Sequence, residues 1–214
     1  MPFQPFQRDA GIHDHAHGRL PHWRQYGTTY FVTARLADSV PAPLREAWRA
    51  RRAAWLAAQG VASPETLPDD LRASYHREFT AAFHALLDAG HGACILARPE
   101  CAEILIARLL AGHARAYGLD AWVVMPNHFH VLVEPAKGTT LGDIVKSWKG
   151  GSAREINLRL GRRGTLWQAE PFDHIVRSEA QLEHFRRYIA ENPAKAGLRT
   201  GYVVGRGAES SPRL

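Results

Sequence analysis

Sulfur is scarce in this 214-residue chain, which has two cysteines, Cys94 and Cys101, and two methionines. No C-x-x-C pair occurs, so the common structural zinc frameworks are excluded. Each thiol has apolar neighbours, as reduced and partly buried cysteines do. No apolar run approaches the roughly 18–20 residues that span a bilayer. The N-terminal stretch MPFQPFQRDAGIHDHAHGRLPHW is polar and has no apolar signal core. The chain is therefore expected in the cytoplasm. Internal repeats and strict low-complexity tracts are absent as well.

What is present is ordinary in amount and uneven in place. Hydrophobic residues make up 45% and charged residues 22%, enough for one domain with embellishment around a buried core. The net charge is +6. Residues 141–200 carry 11 basic and 7 acidic side chains, a local excess of +4, and a polyanion is a fitting partner for such a cluster.

Along the chain, residues 1–20 are expected as a flexible arm and 201–214 as a disordered tail. YFVTARL, 30–36, has the β-branched and aromatic content of a strand. Residues 41–89 predict a helical hairpin inserted between sheet elements. Leu44, Trp48 and Trp55 share a face of its first helix, and Leu71, Tyr75, Phe79, Phe83, Leu86 and Leu87 share one of its second. A helix is expected over about 99–117 with Gly118 as its stop. Strand AWVVM, a break at Pro126-Asn127 and strand HFHVLVE follow, then a basic helix over about 141–160. The last helix begins at Ser178 with a capping-box pattern to Gln181 and must end where Pro193 and Gly197 stand. Strands separated by helices, without repeated βαβ units, predict an α+β sandwich of helices on a small antiparallel sheet.

Chemistry concentrates in two places. In VVMPNHFHVLVEP, 123–135, a strand sends His128 and His130 to one face while Phe129, Val131 and Val133 point to the other. Paired imidazoles can hold a metal ion, yet they form an incomplete ligand set for a catalytic one. The same spacing in His15-x-His17 falls in a polar stretch without strand character and is read as no site. In HFRRYIAENPAKAGL, 184–198, Leu182, Phe185 and Ile189 make a buried stripe. Tyr188 lies at its edge, and Asn192 is one turn further along the same flank. Taken alone, an amphipathic tyrosine and a helix-ending asparagine account for both.

Together these pieces resemble the single-tyrosine HUH nucleases and transposases, and most of all the REP-associated tyrosine transposases. The likeness extends in order through LPHW (20–23), YFVTARLADSVP (30–41), LDAGHGACIL (87–96), AWVVMPNHFHVLVEP (121–135), SWKGGSAREIN (147–157), LWQAEPFDHIVR (166–177) and YIAENPAKAGL (188–198). The resemblance implies a ferredoxin-like α+β sandwich over 21–200, with the histidines on a central antiparallel strand. It implies that His128, His130 and Asn192 bind a divalent metal, Mg²⁺ or Mn²⁺, and that Tyr188 is the nucleophile forming a 5′-phosphotyrosyl intermediate. The implied partner is single-stranded hairpin DNA of the REP type, bound by a monomer, with a helix-exchanging dimer as the other arrangement. DNA binding is expected of Trp148, Lys149, Arg154, Arg162, Arg163, Trp167 and Arg177, which mix cations with aromatics. Phe129, Gly150-Gly151 and Pro171 depart from the family pattern without touching the metal or nucleophile positions. Two other readings stand beside this one: a hairpin-binding protein that does not cut, and a metal phosphoesterase in which water attacks.

Overall fold

A computed structural model describes residues 27–169 and 171–213. The expected N-terminal arm, the LPHW block and His15-x-His17 lie outside the described residues. The described chain divides into two compact units, the smaller of which is Asp38–Cys94.

The larger unit is built on one antiparallel sheet of six strands: β1 (Tyr30–Arg35), β2 (Tyr117–Val124), β3 (His128–Pro135), β4 (Phe172–Ile175), β5 (Tyr202–Arg206) and β6 (Glu209–Arg213). Their spatial order is β4-β1-β3-β2-β5-β6. Helix α4 (Pro99–Leu110) connects β1 to β2, and α5 (Leu141–Arg159) connects β3 to β4. This βαββαβ chain with order 4-1-3-2 in its first four strands is the ferredoxin-like fold, as expected. Helix α6 (Glu179–Lys195) then follows β4.

Strand alternation divides the unit into two cores. Tyr30, Val32 and Ala34 of β1 stand opposite Val133, Val131 and Phe129 of β3 and pack against α4 and α5 through Leu105, Leu109, Ile144, Val145 and Trp148. On the other face, Phe31, Ala121, Val123 and Leu132 pack against Leu182, Phe185 and Ile189 of α6. Helices therefore cover both faces of the sheet.

Tertiary packing moved several boundaries. Helix α4 stops at Leu110, short of the expected 117. There the Tyr117 hydroxyl donates to the Leu109 carbonyl at 2.7 Å and accepts from Trp148 Nε1 at 2.8 Å. One of the helix's last carbonyls is thereby satisfied, and Gly118, expected as the stop, lies inside β2. Helix α6 does not stop at Pro193, which is buried within it. Proline removes only its own N–H, the donor to the Ile189 carbonyl. The helix ends at Gly197, φ 68°, where Leu198 N–H donates to Pro193 O at 2.9 Å and Gly197 N–H to Ala194 O at 3.0 Å, a Schellman closure. Its start is as expected, with Ser178 Oγ accepting from Gln181 N–H at 3.2 Å. The expected disordered tail instead supplies β5 and β6, because β2 has an open edge whose backbone groups pair with β5.

The second unit holds α1 (Ala42–Ala58), α2 (Asp69–Tyr75) and α3 (Ala81–Asp88), the last two joined through a π-helical turn at 76–80. Leu56, Leu67, Tyr75 and Phe79 form its core, with Trp48, Trp55 and Leu71 at the edge. Leu44, expected on the apolar face, is exposed. No helix among the described residues is long and apolar enough to cross a membrane.

The junction of β2 and β5 is tight enough to test. Gly205 lies opposite Trp122, and a Cβ there would come within 2.2 Å of the indole and 2.4 Å of the Glu209 carbonyl oxygen. Gly205→Ala should lower stability by about 1–3 kcal/mol, as overpacking does, measured by urea unfolding at unchanged m-value.

Candidate functional site

The site begins with the register of β3 against β1. Thr33 stands opposite His130, and Arg35 opposite His128. Directly opposed residues in an antiparallel pair share a face, so all four project toward the layer that contains α6. His128 and His130 are 1% and 0% exposed.

Each imidazole is oriented from behind. Asn127 Oδ1 lies 2.7 Å from His128 Nδ1. A carbonyl oxygen only accepts, so Nδ1 carries the proton and Nε2 is left with its lone pair. Thr33 Oγ1 lies 2.7 Å from His130 Nδ1. A hydroxyl donates or accepts, so Thr33 is compatible with either tautomer of His130. The two Nε2 atoms face each other at 3.1 Å, a distance that requires a proton or a cation between them, because two bare lone pairs repel. It is also close to the separation of two adjacent ligands around a metal with bonds of about 2.1 Å.

Helix α6 closes the site. Its Arg186 donates from Nε to Asp120 Oδ2 of β2 at 2.8 Å and pairs also with Glu183. The bond to Asp120 pushes the guanidinium pKa up further. Phe31 stacks on Phe185 at 4.3 Å and on His130 at 5.2 Å between ring centroids. The half-buried Tyr188 meets both edge-on, 5.2 Å from His130 and 5.7 Å from Phe31. Lys195 Nζ lies 5.8 Å from the centre of the same tyrosine ring.

One turn beyond Tyr188, Asn192 is fully buried, and neither its Nδ2 nor its Oδ1 has a hydrogen-bond partner. A buried amide left unsatisfied costs about 1–3 kcal/mol. Among the described residues, no group of three or more His, Cys, Asp or Glu side chains is placed to hold a metal. Imidazole nitrogens and a carboxamide oxygen are donor types that a divalent first-row ion takes.

Residues 106–192 match the family model described as Transposase IS200 like. That stretch resembles the IS200-like transposases. The matched stretch runs from within α4 to Asn192 and contains His128, His130 and Tyr188. A REP-associated tyrosine transposase of Escherichia coli (strain K12) is 28% identical to this chain, over 39% of it and 48% of the relative. A protein of Haemophilus influenzae (strain Rd) with no described function is 29% identical over 35% of this chain and 53% of its own. The chain spans about half the length of these curated relatives. A solved REP-associated tyrosine transposase bound to a REP hairpin aligns with 85% of this chain and 75% of its own, at 16% identity and TM-score 0.47.

The expected DNA-binding set does not stay together. Trp148 and Trp167 are buried in the core beneath the opposite face of the sheet. Their indole N–H groups donate to Tyr117 and Ser152, so neither offers a ring for stacking on a base. Lys149 Nζ donates to the carbonyls of Gln168 and Ala169, both at 2.7 Å, and holds that loop. Arg154, Arg162, Arg163 and Arg177 are exposed, but Arg154 is on α5, across the sheet from the histidines. Sequence reasoning missed Thr33, Asn127, Arg35 and Lys195. The first three become visible only through strand pairing and the β2–β3 turn. Lys195 was legible from its seven-residue spacing to Tyr188.

If Asn192 is kept for a ligand, an apolar residue of similar size should suit the ligand-free fold better. Asn192→Leu is expected to raise stability by about 1 kcal/mol in EDTA, measured as a higher midpoint of thermal unfolding.

Proposed function

We propose that this protein is a metal-dependent endonuclease and strand transferase for single-stranded hairpin DNA, with Tyr188 as the nucleophile. The observation that carries the reading is the meeting of Tyr188 with His130 on one sheet face, beside a buried Asn192 amide without a partner. The IS200-like match over the same residues supports it, and the hairpin substrate is taken from the solved relative, which is bound to a REP hairpin.

In this reading His128, His130 and Asn192 would hold one divalent ion, Mg²⁺ or Mn²⁺, which would supply charge withdrawal from the phosphodiester and orientation for in-line attack. Asn127 and Thr33 keep the two imidazoles aimed, as partners behind metal ligands do. Phe31 and His130 hold the Tyr188 ring, which limits the directions its hydroxyl can face.

A phenol is mostly protonated at neutral pH, since its ordinary pKa is about 10, so attack requires loss of that proton. Tyr188 Oη forms a bond to phosphorus while the bond from phosphorus to the 3′ oxygen breaks. The departing oxygen takes up a proton and leaves as a free 3′-hydroxyl. The 5′ end stays on Tyr188 as a phosphodiester. Because that bond keeps the energy of the cleaved linkage, another 3′-hydroxyl can attack it and join strands. Tyr188 meets His130 of its own chain, and the reading takes the protein as a monomer acting in cis.

The test is a denaturing gel of protein with labelled hairpin DNA from its own genomic neighbourhood. An adduct should form with Mn²⁺, be absent in EDTA, and be lost in Tyr188→Phe and His130→Ala. Cleavage without an adduct that survives Tyr188→Phe would assign the attack to water. Retarded DNA with no cleavage would make this a binding protein.

A further inference from the structure

Two turns of α6 beyond Tyr188 stands Lys195, which the chemistry above does not use. Helical side chains lean toward the N-terminus, and a seven-residue step returns nearly to the same face. Lys195 therefore reaches back along the flank that carries Tyr188 and Asn192. Its Nζ is 5.8 Å from the centre of the Tyr188 ring and 2.9 Å from Glu191 Oε2. The hydrogen bond from this ammonium holds the Glu191 carboxyl below its ordinary pKa. The two side chains are 55% and 54% exposed, so the pair is weak, screened by solvent and readily exchanged for a stronger contact.

A lysine ammonium on the flank of a proposed divalent-ion site is electrostatically unfavourable on its own, because the two charges repel. An anion lying between them reverses the sign. The anion that attack by Tyr188 would bring there is a phosphodiester, which then stays covalently attached to the ring that Lys195 overhangs.

We propose that Lys195 is a further catalytic residue, whose ammonium leaves Glu191 and binds a non-bridging oxygen of the phosphate that Tyr188 attacks and retains. The inference rests on the reading of Tyr188 as nucleophile. No bond forms or breaks at Lys195, which stays protonated through cleavage and rejoining and offsets charge on the phosphate as the new bond forms.

Single-turnover adduct formation at saturating hairpin DNA and Mn²⁺ would be compared for the wild type, Lys195→Ala, Lys195→Arg and Glu191→Gln. DNA affinity would be measured separately in EDTA. Removing one preorganised charge should slow the Lys195→Ala adduct by about ten-fold or more. Lys195→Arg should restore most of that rate, Glu191→Gln should match or exceed the wild type, and affinity in EDTA should stay nearly unchanged. An unchanged rate in Lys195→Ala overturns the inference and leaves Tyr188 in its role. So does a loss confined to DNA affinity, or an equal loss in Glu191→Gln, which would make the ion pair itself the requirement. A wild-type protein that forms no adduct overturns the reading of Tyr188 and this inference with it.

Discussion

A slip of one residue between β3 and β1 would turn His128 and His130 into the core beneath α4 and α5, and would turn Phe129, Val131 and Val133 toward α6. The pairing of Thr33 with His130 and of Arg35 with His128 is therefore the constraint on which the candidate site depends. Burial enforces it. Phe129, Val131 and Val133 are all fully buried, and exposing any one of them to a polar face would forfeit about 1.5–3 kcal/mol of hydrophobic stabilisation. The same packing that stabilises the sheet delivers both imidazoles to one side, with Thr33 already across from His130.

The second core is built differently from the first. The α4–α5 side is apolar apart from the hydroxyls and indoles that bond each other, such as Tyr117 with Trp148 and Ser152 with Trp167. The α6 side buries His128, His130 and Asn192, with His130 set between the rings of Phe31 and Tyr188. Polar groups in that setting are costly unless paired. The imidazoles are paired from behind through Nδ1 and with each other through Nε2, whereas the Asn192 amide is not paired at all. A fold that keeps such a group at a helix–sheet contact gives up stability there, as functional sites commonly do.

Much of this is legible in the sequence. Period-two alternation separated the histidines from Phe129, Val131 and Val133, and the helical wheel placed Tyr188 and Asn192 on one flank. What the sequence could not carry was pairing between distant segments. Thr33 has no local mark as a partner of a residue 97 positions away. The tail after Gly201 looked disordered because its composition is polar and glycine-rich, yet an unpaired β2 edge recruits it as β5 and β6. Trp148 and Trp167 read as base-stacking aromatics because basic residues surround them in sequence. In space their indoles turn inward and the basic side chains of the same segments turn out. Pro193 read as a helix stop because proline breaks hydrogen bonding, but a single lost bond did not end a helix anchored by Arg186 and by its buried stripe.

The central claim is that His128, His130 and Asn192 form one divalent-ion site. The most direct measurement is Mn²⁺ binding to the DNA-free protein by calorimetry, with spin-echo spectroscopy of the bound ion. The account predicts one Mn²⁺ per chain with imidazole nitrogen couplings, binding lost in His130→Ala and weakened by roughly 10–100-fold in Thr33→Val, the scale found for residues that orient metal ligands. Mn²⁺ that binds without nitrogen couplings, or as well in His130→Ala as in the wild type, would contradict it.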